Sequence, residues 1–174
     1  NAFRGLIERY KKGVGLWQGE NGAPSTNTSA GALRQYEWDE TRQAKWLLRR
    51  ILTDLALHVE VTSYFQTVDM VNYIWGSGAS GATNSKGVLR GVEYTPKPSY
   101  YAYRNVCALF DAESRRADLL LRIESRGTDF DPRAMRIATW VRKGSPIYAW
   151  WYPGDLQKGF ATSSARLVLW SPKA

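Results

Sequence analysis

A chain of 174 residues, 44% hydrophobic and 23% charged, has ordinary globular composition, long enough for one well-packed domain or parts of two and unlike a disordered or membrane-embedded chain. The net charge of +8 raises the question of nucleic acid, yet the basic residues are scattered, in runs no longer than pairs such as Lys11-Lys12, Arg49-Arg50 and Arg115-Arg116, so no nucleic-acid partner is expected. Cys107 is the single cysteine and His58 the single histidine, which excludes an intrachain disulfide, a cysteine-based zinc site and an HExxH metal site. No GxSxG elbow exists to give His58 a place in a Ser-His-Asp triad, and its expected role is packing or surface. No metal and no cofactor are expected. No apolar run is long enough to cross a membrane. The 13% aromatic content suits sugar-stacking surfaces and equally a large core or interface.

The chain begins at Asn1 directly in a helical pattern, with Phe3, Leu6, Ile7 and Tyr10 at helical spacing over Ala2 to Lys12 and Gly13 as a stop, and it reads as the C-terminal piece of something longer. Val14 to Gly19 is the first predicted strand. It ends at Gln18-Gly19-Glu20-Asn21, where turn-forming residues take over, so it delivers the Glu20 carboxylate at a strand end. A carboxylate at the C-terminal end of a strand is a candidate catalytic group in an α/β barrel; a loop-exposed acid is the plainer alternative. Residues 21–32 are rich in Gly, Ser, Thr and Asn and form a loop of the length at which lids and binding loops occur.

The clearest helix runs from about Asp39 to Leu57. Ala44, Leu47, Leu48, Ile51, Leu55 and Ala56 make its apolar stripe, and Arg42, Lys45, Arg49 and Asp54 face elsewhere. Asp39 and Glu40 suit its N-terminal dipole. A second strand, His58 to Phe65, follows, then an aromatic loop with Tyr73 and Trp75 and a glycine- and serine-rich stretch from Gly76 to Gly91. Lys97-Pro98 introduces a helix from Ser99 to Phe110. Short connections precede each strand and long glycine-rich loops follow it, the asymmetry of a (β/α)8 barrel whose active face lies after the strands; two strands alone cannot close one. After residue 111 helical periodicity gives way to short strand candidates near 119–124, 135–141, 147–151 and 165–170, separated by Gly, Pro, Asp and Ser. The expected organisation is therefore α/β: two βα units over residues 1–111, then an antiparallel β-sandwich-type domain over 112–174.

These residues resemble one family group. Trp17-Gln18-Gly19-Glu20-Asn21-Gly22-Ala23-Pro24 is similar to the seventh-strand nucleophile motif of retaining glycoside hydrolases of the large (β/α)8 clan, with cellulase-like and β-xylosidase-like members nearest. Gln43-Ala44-Lys45-Trp46-Leu47-Leu48-Arg49-Arg50 resembles their seventh helix, Val61-Thr62-Ser63-Tyr64-Phe65 with Asp69-Met70 their eighth strand, and Lys97-Pro98-Ser99-Tyr100-Tyr101-Ala102 through Leu109-Phe110-Asp111 their last barrel helix. The β part matches in type alone.

The resemblance implies the last two βα units of a (β/α)8 barrel, Glu20 as the catalytic nucleophile, a carbohydrate substrate, and a secreted or extracellular setting. Retaining hydrolysis uses two carboxyl groups about 5–5.5 Å apart, an ionised nucleophile and a protonated acid. The family's acid/base glutamate follows the fourth strand, and no such segment lies in this chain. The fragment is therefore expected to hydrolyse no glycoside by itself, and to be unstable or to pair with the missing N-terminal part of the barrel. Gln18 sits beside the catalytic carboxylate, to orient it or cap a turn. Asn21 is a donor to substrate hydroxyls or a turn former. Tyr64, Phe65 and Gln66 stand where the family places an aromatic sugar platform, with barrel core as the other reading. Asp69 binds a hydroxyl or fixes its loop, and Trp75 is a sugar-contact candidate on a glycine-rich loop. Trp17 is expected to fill the core and Trp46 to pack. The alternative to the enzyme is a non-catalytic carbohydrate-binding module with Trp150 or Trp151 facing solvent.

Overall fold

The computed structural model describes residues 2–75, 79–125, 131–156 and 164–169, with the side chains of residues 75, 79, 80 and 125 outside that description. The described residues have a mixed α/β fold, with three α-helices and small sheets, and form no closed barrel. Two compact units divide the chain, Asn1–Tyr103 and Arg104–Ala174.

The first unit opens with α1 (Ala2–Tyr10), then β1 (Trp17–Asn21), α2 (Glu40–Ala56), β2 (Val61–Tyr64) and the hairpin of β3 (Met70–Trp75) and β4 (Ala79–Asn84). Strands β1 and β2 pair in parallel, Trp17 opposite Val61 and Gln18 opposite Thr62, with α2 as their crossover, which makes a βαβ unit. Helix α2 starts where the sequence places it because the Asp39 carboxylate accepts the Arg42 amide at 2.7 Å, an N-cap worth about 1 kcal/mol. Its buried residues are Gln43, Leu47, Ile51 and Asp54, so two polar side chains share the inward stripe with two apolar ones. The expectation that Asp54 faces away from the core fails: it is 3% exposed, held by hydrogen bonds described below.

Three other expectations are corrected. Strand β1 begins three residues and ends two residues later than expected, so Glu20 lies inside its end rather than just beyond it. Strand β2 is shorter than expected, because His58 takes a positive φ of 56° and the Val59 amide turns back to the Asp54 carbonyl at 2.9 Å. The segment around Tyr73 and Trp75 is a strand rather than a loop, since Tyr73 pairs with Ala82 and Trp75 with Ala79 in the antiparallel β3–β4 hairpin.

The connection from β1 to α2 is irregular yet closely held. Ser25 N donates to the Ser85 carbonyl at 3.1 Å, Ala30 N to the Thr83 carbonyl at 2.8 Å and Ser85 N to Ser29 Oγ at 3.0 Å, so the loop is laced along the end of β4. Trp38 is buried and donates from Nε1 to the Leu33 carbonyl at 2.9 Å, which closes the loop before α2 begins.

Helix α3 (Pro98–Leu109) carries the chain into the second unit, which contains β5 (Ser114–Arg116), β6 (Leu121–Ser125), a 3-10 turn over Pro132–Ala134, β7 (Arg136–Arg142), β8 (Ser145–Trp151) and β9 (Ala165–Leu169). All pairings here are antiparallel, in sheets of order β5-β7-β8 and β6-β9. Trp140 is buried, with Phe110 edge-on at 4.8 Å and the Arg116 guanidinium over its ring at 5.4 Å. Alternation along β8 sends Trp150 and Trp151 to opposite faces: Trp150, opposite Ile137, is 42% exposed, and Trp151, opposite Arg136, is half-buried.

Candidate functional site

The residues singled out by the sequence gather where β1 and β2 end together. Glu20 is exposed and Asn21, one residue on, is buried. Asn21 is the knot of a hydrogen-bond chain. Its Nδ2 donates to the Ser63 carbonyl at 2.6 Å, to Gln18 Oε1 at 2.8 Å and to Thr62 Oγ1 at 3.3 Å. Gln18 Nε2 in turn donates to the Glu20 carbonyl. The Thr62 hydroxyl donates to Asp54 Oδ2 at 2.7 Å, and the Arg50 guanidinium reaches the same oxygen at 2.9 Å. The backbone that carries Glu20 is thereby tied through Gln18, Asn21 and Thr62 to a buried carboxylate on α2.

Beyond Tyr64 the chain turns under this strand end. Phe65 N donates to the Asn21 carbonyl at 2.6 Å, and the Phe65–Gln66 peptide is cis. Gly22 is required there, because a Cβ at that position would stand 1.9 Å from the Phe65 carbonyl oxygen. Asn21 Oδ1, the Tyr64 hydroxyl and Gln66 Nε2 are buried polar atoms without a hydrogen-bond partner among the described residues. Three such atoms at one strand end are unusual in an interior where nearly every polar group is paired. Burial pushes the Tyr64 hydroxyl pKa upward, with the nearby Asp69 charge adding to the rise.

Asp69 and Lys97 form a second, largely buried cluster behind the strand end. Lys97 Nζ lies 2.7 Å from Asp69 Oδ1, 2.8 Å from Ser25 Oγ and 3.3 Å from the Ser85 carbonyl, which uses its three donors. Asp69 Oδ1 also accepts the Gly87 amide at 2.8 Å. Burial raises the Asp69 pKa and lowers that of Lys97, and their mutual attraction opposes both shifts. Gln43, wholly buried, donates from Nε2 to the carbonyls of Ala23, Ser85 and Gly87 at 3.0, 3.2 and 3.2 Å and accepts the Ser99 hydroxyl at 2.8 Å. One side chain on α2 thus joins the loop after β1, the segment after β4 and the start of α3.

Glu20, Gln18, Asn21, Tyr64, Phe65 and Gln66 therefore share one strand end, and the Asp69 carboxylate is committed to Lys97 and Gly87. The side chain of Trp75 lies outside the described residues. Trp17 departs from its expected core role: it is 70% exposed, since β1 pairs with β2 alone and the described residues lay no element over that face of the strand. With Phe3, Leu16, Gln18, Arg50, Asp54, Leu57 and Val59 it lines a cleft of about 310 Å³, whose walls include Gln18 and not Glu20. Among the described residues no group of three or more His, Cys, Asp or Glu side chains is placed to hold a metal ion.

Sequence reasoning overlooked Gln43, Asp54 and Lys97 as participants. For Gln43 and Asp54 the signal was present, because positions 43, 47, 51 and 54 follow helical spacing and place both on the Leu47–Ile51 stripe.

No protein-family model matches the chain, and no curated protein matches it. Among solved structures it is similar to the FMN-binding beta-glucuronidase from Facaelibacterium prausnitzii L2-6, at 13% identity and a TM-score of 0.46, over 86% of this chain and 28% of that one. The chain thus spans less than a third of that protein's length.

Proposed function

We propose that this chain is part of a retaining glycoside hydrolase, that β1-α2-β2 corresponds to the last two strands of a (β/α)8 barrel with their crossover, and that Glu20 is the catalytic nucleophile. The observation that carries this reading is the parallel βαβ unit with Glu20 at the C-terminal end of its first strand, on the same end as three buried polar atoms with unused hydrogen-bonding capacity. Ligands of open and closed α/β sheets bind at that end of the strands.

In the proposed reaction the ionised Glu20 attacks the anomeric carbon, the leaving oxygen takes a proton from a second carboxyl group, and water then hydrolyses the glycosyl ester. Gln18 and Asn21 hold the backbone that carries Glu20, while Asn21, Tyr64 and Gln66 supply polar atoms to the sugar. Phe65, Asp69 and Trp75 complete the proposed substrate set. The proton donor lies outside this chain, so the chain alone turns over no glycoside. The missing N-terminal part of the barrel is the proposed partner. The exposed apolar side chains of Phe3, Leu6, Tyr10, Trp17 and Val61 support such a covering.

The test uses the complete enzyme. Glu20→Gln should abolish turnover with the fold intact, and azide should restore activity to Glu20→Gly with an inverted product. Full activity in Glu20→Gln would remove the assignment.

A second reading, a carbohydrate-binding module without chemistry, is favoured by one specific observation: Trp150 presents an exposed indole opposite Ile137. Saturable binding of an oligosaccharide that is lost in Trp150→Ala and kept in Glu20→Gln would select it.

A further inference from the structure

The register between β1 and β2 does not run evenly. Gln18 stands opposite Thr62 and Asn21 opposite Tyr64, so β1 takes three steps where β2 takes two. Gly19 and Glu20 together therefore face the single residue Ser63, a one-residue bulge in a parallel pair, where bulges are rare. Burial follows the same count. Along β1, Gln18 is half-buried and Asn21 buried, while Trp17, Gly19 and Glu20 are exposed. Along β2, Thr62 and Tyr64 are half-buried and Val61 and Ser63 exposed. In an unbroken strand Gln18 and Glu20, two apart, would share a face, and Gln18 and Asn21, three apart, would not. The bulge reverses both relations: Asn21 Nδ2 meets Gln18 Oε1 at 2.8 Å, and Glu20, next to Asn21, takes the other face. The face that Gln18 and Asn21 share is the one toward α2, because Thr62 Oγ1, 3.3 Å from Asn21 Nδ2, donates to Asp54 on that helix at 2.7 Å.

Side chains rather than glycine geometry hold this bulge. Gly19 does not take a positive φ and has nothing within 4 Å of a Cβ built on it, so the bulge does not depend on a glycine there. Gln18 bridges it instead: its Oε1 accepts from Asn21 on the far side, and its Nε2 donates to the Glu20 carbonyl inside it. The direction of these amides is set from α2. The Asp54 carboxylate, paired with Arg50 at 2.9 Å, only accepts, so the Thr62 hydroxyl gives it its one proton and turns a lone pair to Asn21 Nδ2. The Ser63 carbonyl accepts from the same nitrogen at 2.6 Å. With Nδ2 so placed, Gln18 must offer Oε1 to it, which leaves its Nε2 for the Glu20 carbonyl.

We propose that the Gly19–Glu20 bulge aims the Glu20 carboxylate and that Gln18 is its positioning residue: the Gln18 bridge, oriented from Asp54 through Thr62 and Asn21, keeps Glu20 on the face of the strand pair opposite α2. The inference rests on the nucleophile reading of Glu20 for its catalytic meaning. Without the bulge, alternation from Gln18 would turn Glu20 toward α2 and its buried Asp54 carboxylate instead of the open face. Bulges beside active sites re-aim side chains in this way. A displacement of about 1 Å at a reacting group can cost on the order of a hundredfold in rate, so the aim matters to the attack step.

The experiment follows the rate at which an activated 2-deoxy-2-fluoro glycoside labels the complete enzyme, a reagent whose leaving group needs no acid and so reports the attack step alone. At saturating reagent Gln18→Leu and Thr62→Val should label about tenfold more slowly, with the half-saturating concentration within about twofold of the unaltered enzyme's. Thr62→Ser, which keeps the hydroxyl and loses the methyl, should label at close to the unaltered rate. A role in packing alone would lower the melting temperatures of these variants and leave their labelling rates unchanged well below those temperatures. Gln18 is only half-buried, so Gln18→Leu decides the matter should Thr62→Val fail to fold. Label on Glu20 at an unchanged rate in Gln18→Leu, or a Thr62→Ser rate as slow as that of Thr62→Val, overturns the proposal and leaves the nucleophile in place. Label on a different carboxylate of the unaltered enzyme removes the nucleophile reading, and the proposal with it.

Discussion

The Thr62 hydroxyl donates to the buried carboxylate of Asp54 at 2.7 Å, which ties β2 to α2 at the residue that Asn21 also reaches from β1. Thr62 is thus the middle of a path from the helix interior to the strand that carries Glu20. Thr62→Val keeps the shape and removes the donor, leaving Asp54 with Arg50 alone. The expected cost is about 1.5–3 kcal/mol, the worth of one hydrogen bond to a charged group. Urea unfolding measures it; a change below a few tenths of a kcal/mol would mean that the path carries no strain-bearing contact.

Two glycines near the same strand end should behave in opposite ways. Gly22→Ala drives a methyl to 1.9 Å from the Phe65 carbonyl oxygen, so the β1 and β2 ends must separate, at a cost of about 1–3 kcal/mol. Gly19, in the same strand, has nothing within 4 Å of its Cβ position, and Gly19→Ala should leave stability unchanged or slightly raised. Denaturant midpoints of the two variants compared side by side decide it. Equal losses would contradict the close approach at Gly22.

The Lys97–Asp69 pair should be intolerant of single changes. Lys97 is 1% and Asp69 9% exposed at the side chain, so Lys97→Met strands a buried carboxylate and should cost about 3–5 kcal/mol. Replacing both partners by apolar residues should recover part of that loss. Unfolding free energies of the two single variants and the double variant form the test, and strict additivity would contradict a direct coupling.

In the second unit, Arg142 lies 2.6 Å from Asp111 and holds its carboxyl down to about 2, below the ordinary value of 3.8. A folded-state pKa depressed in this way contributes stability that is present above pH 3.8 and disappears as pH falls through about 2. Asp111→Asn should therefore flatten the acid side of the melting-temperature profile in that window, and parallel profiles would contradict the pairing. Because the pair is exposed, the effect should also shrink in high salt.

Much of the helical frame was readable from sequence because capping and periodicity are local signals. Asp39 stops the helix backward extension, the Leu47–Ile51 stripe sets its inner face, and Pro98 opens α3. The antiparallel character of β6 to β9 was legible in the same way from alternation and turn residues. Other features depended on long-range pairing. Strand β1 gains its last residues through Asn21, whose partners Thr62 and Ser63 are more than forty positions away. The Tyr73 segment became a strand only by pairing with a glycine- and serine-containing partner of low β-propensity. The buried role of Lys97 was invisible for a similar reason: charged residues are read as solvated, and only the folded chain shows the Ser85 carbonyl, Ser25 and Asp69 that enclose it.

The central claim is that Glu20 is the nucleophile of a retaining glycosidase, and trapping tests it most directly. The complete enzyme, treated with an activated 2-deoxy-2-fluoro glycoside and digested, should yield a single glycosylated peptide with the sugar esterified to Glu20, and the Glu20→Gln protein should yield none. A sugar attached to another carboxylate, or turnover undiminished in Glu20→Gln, would contradict it.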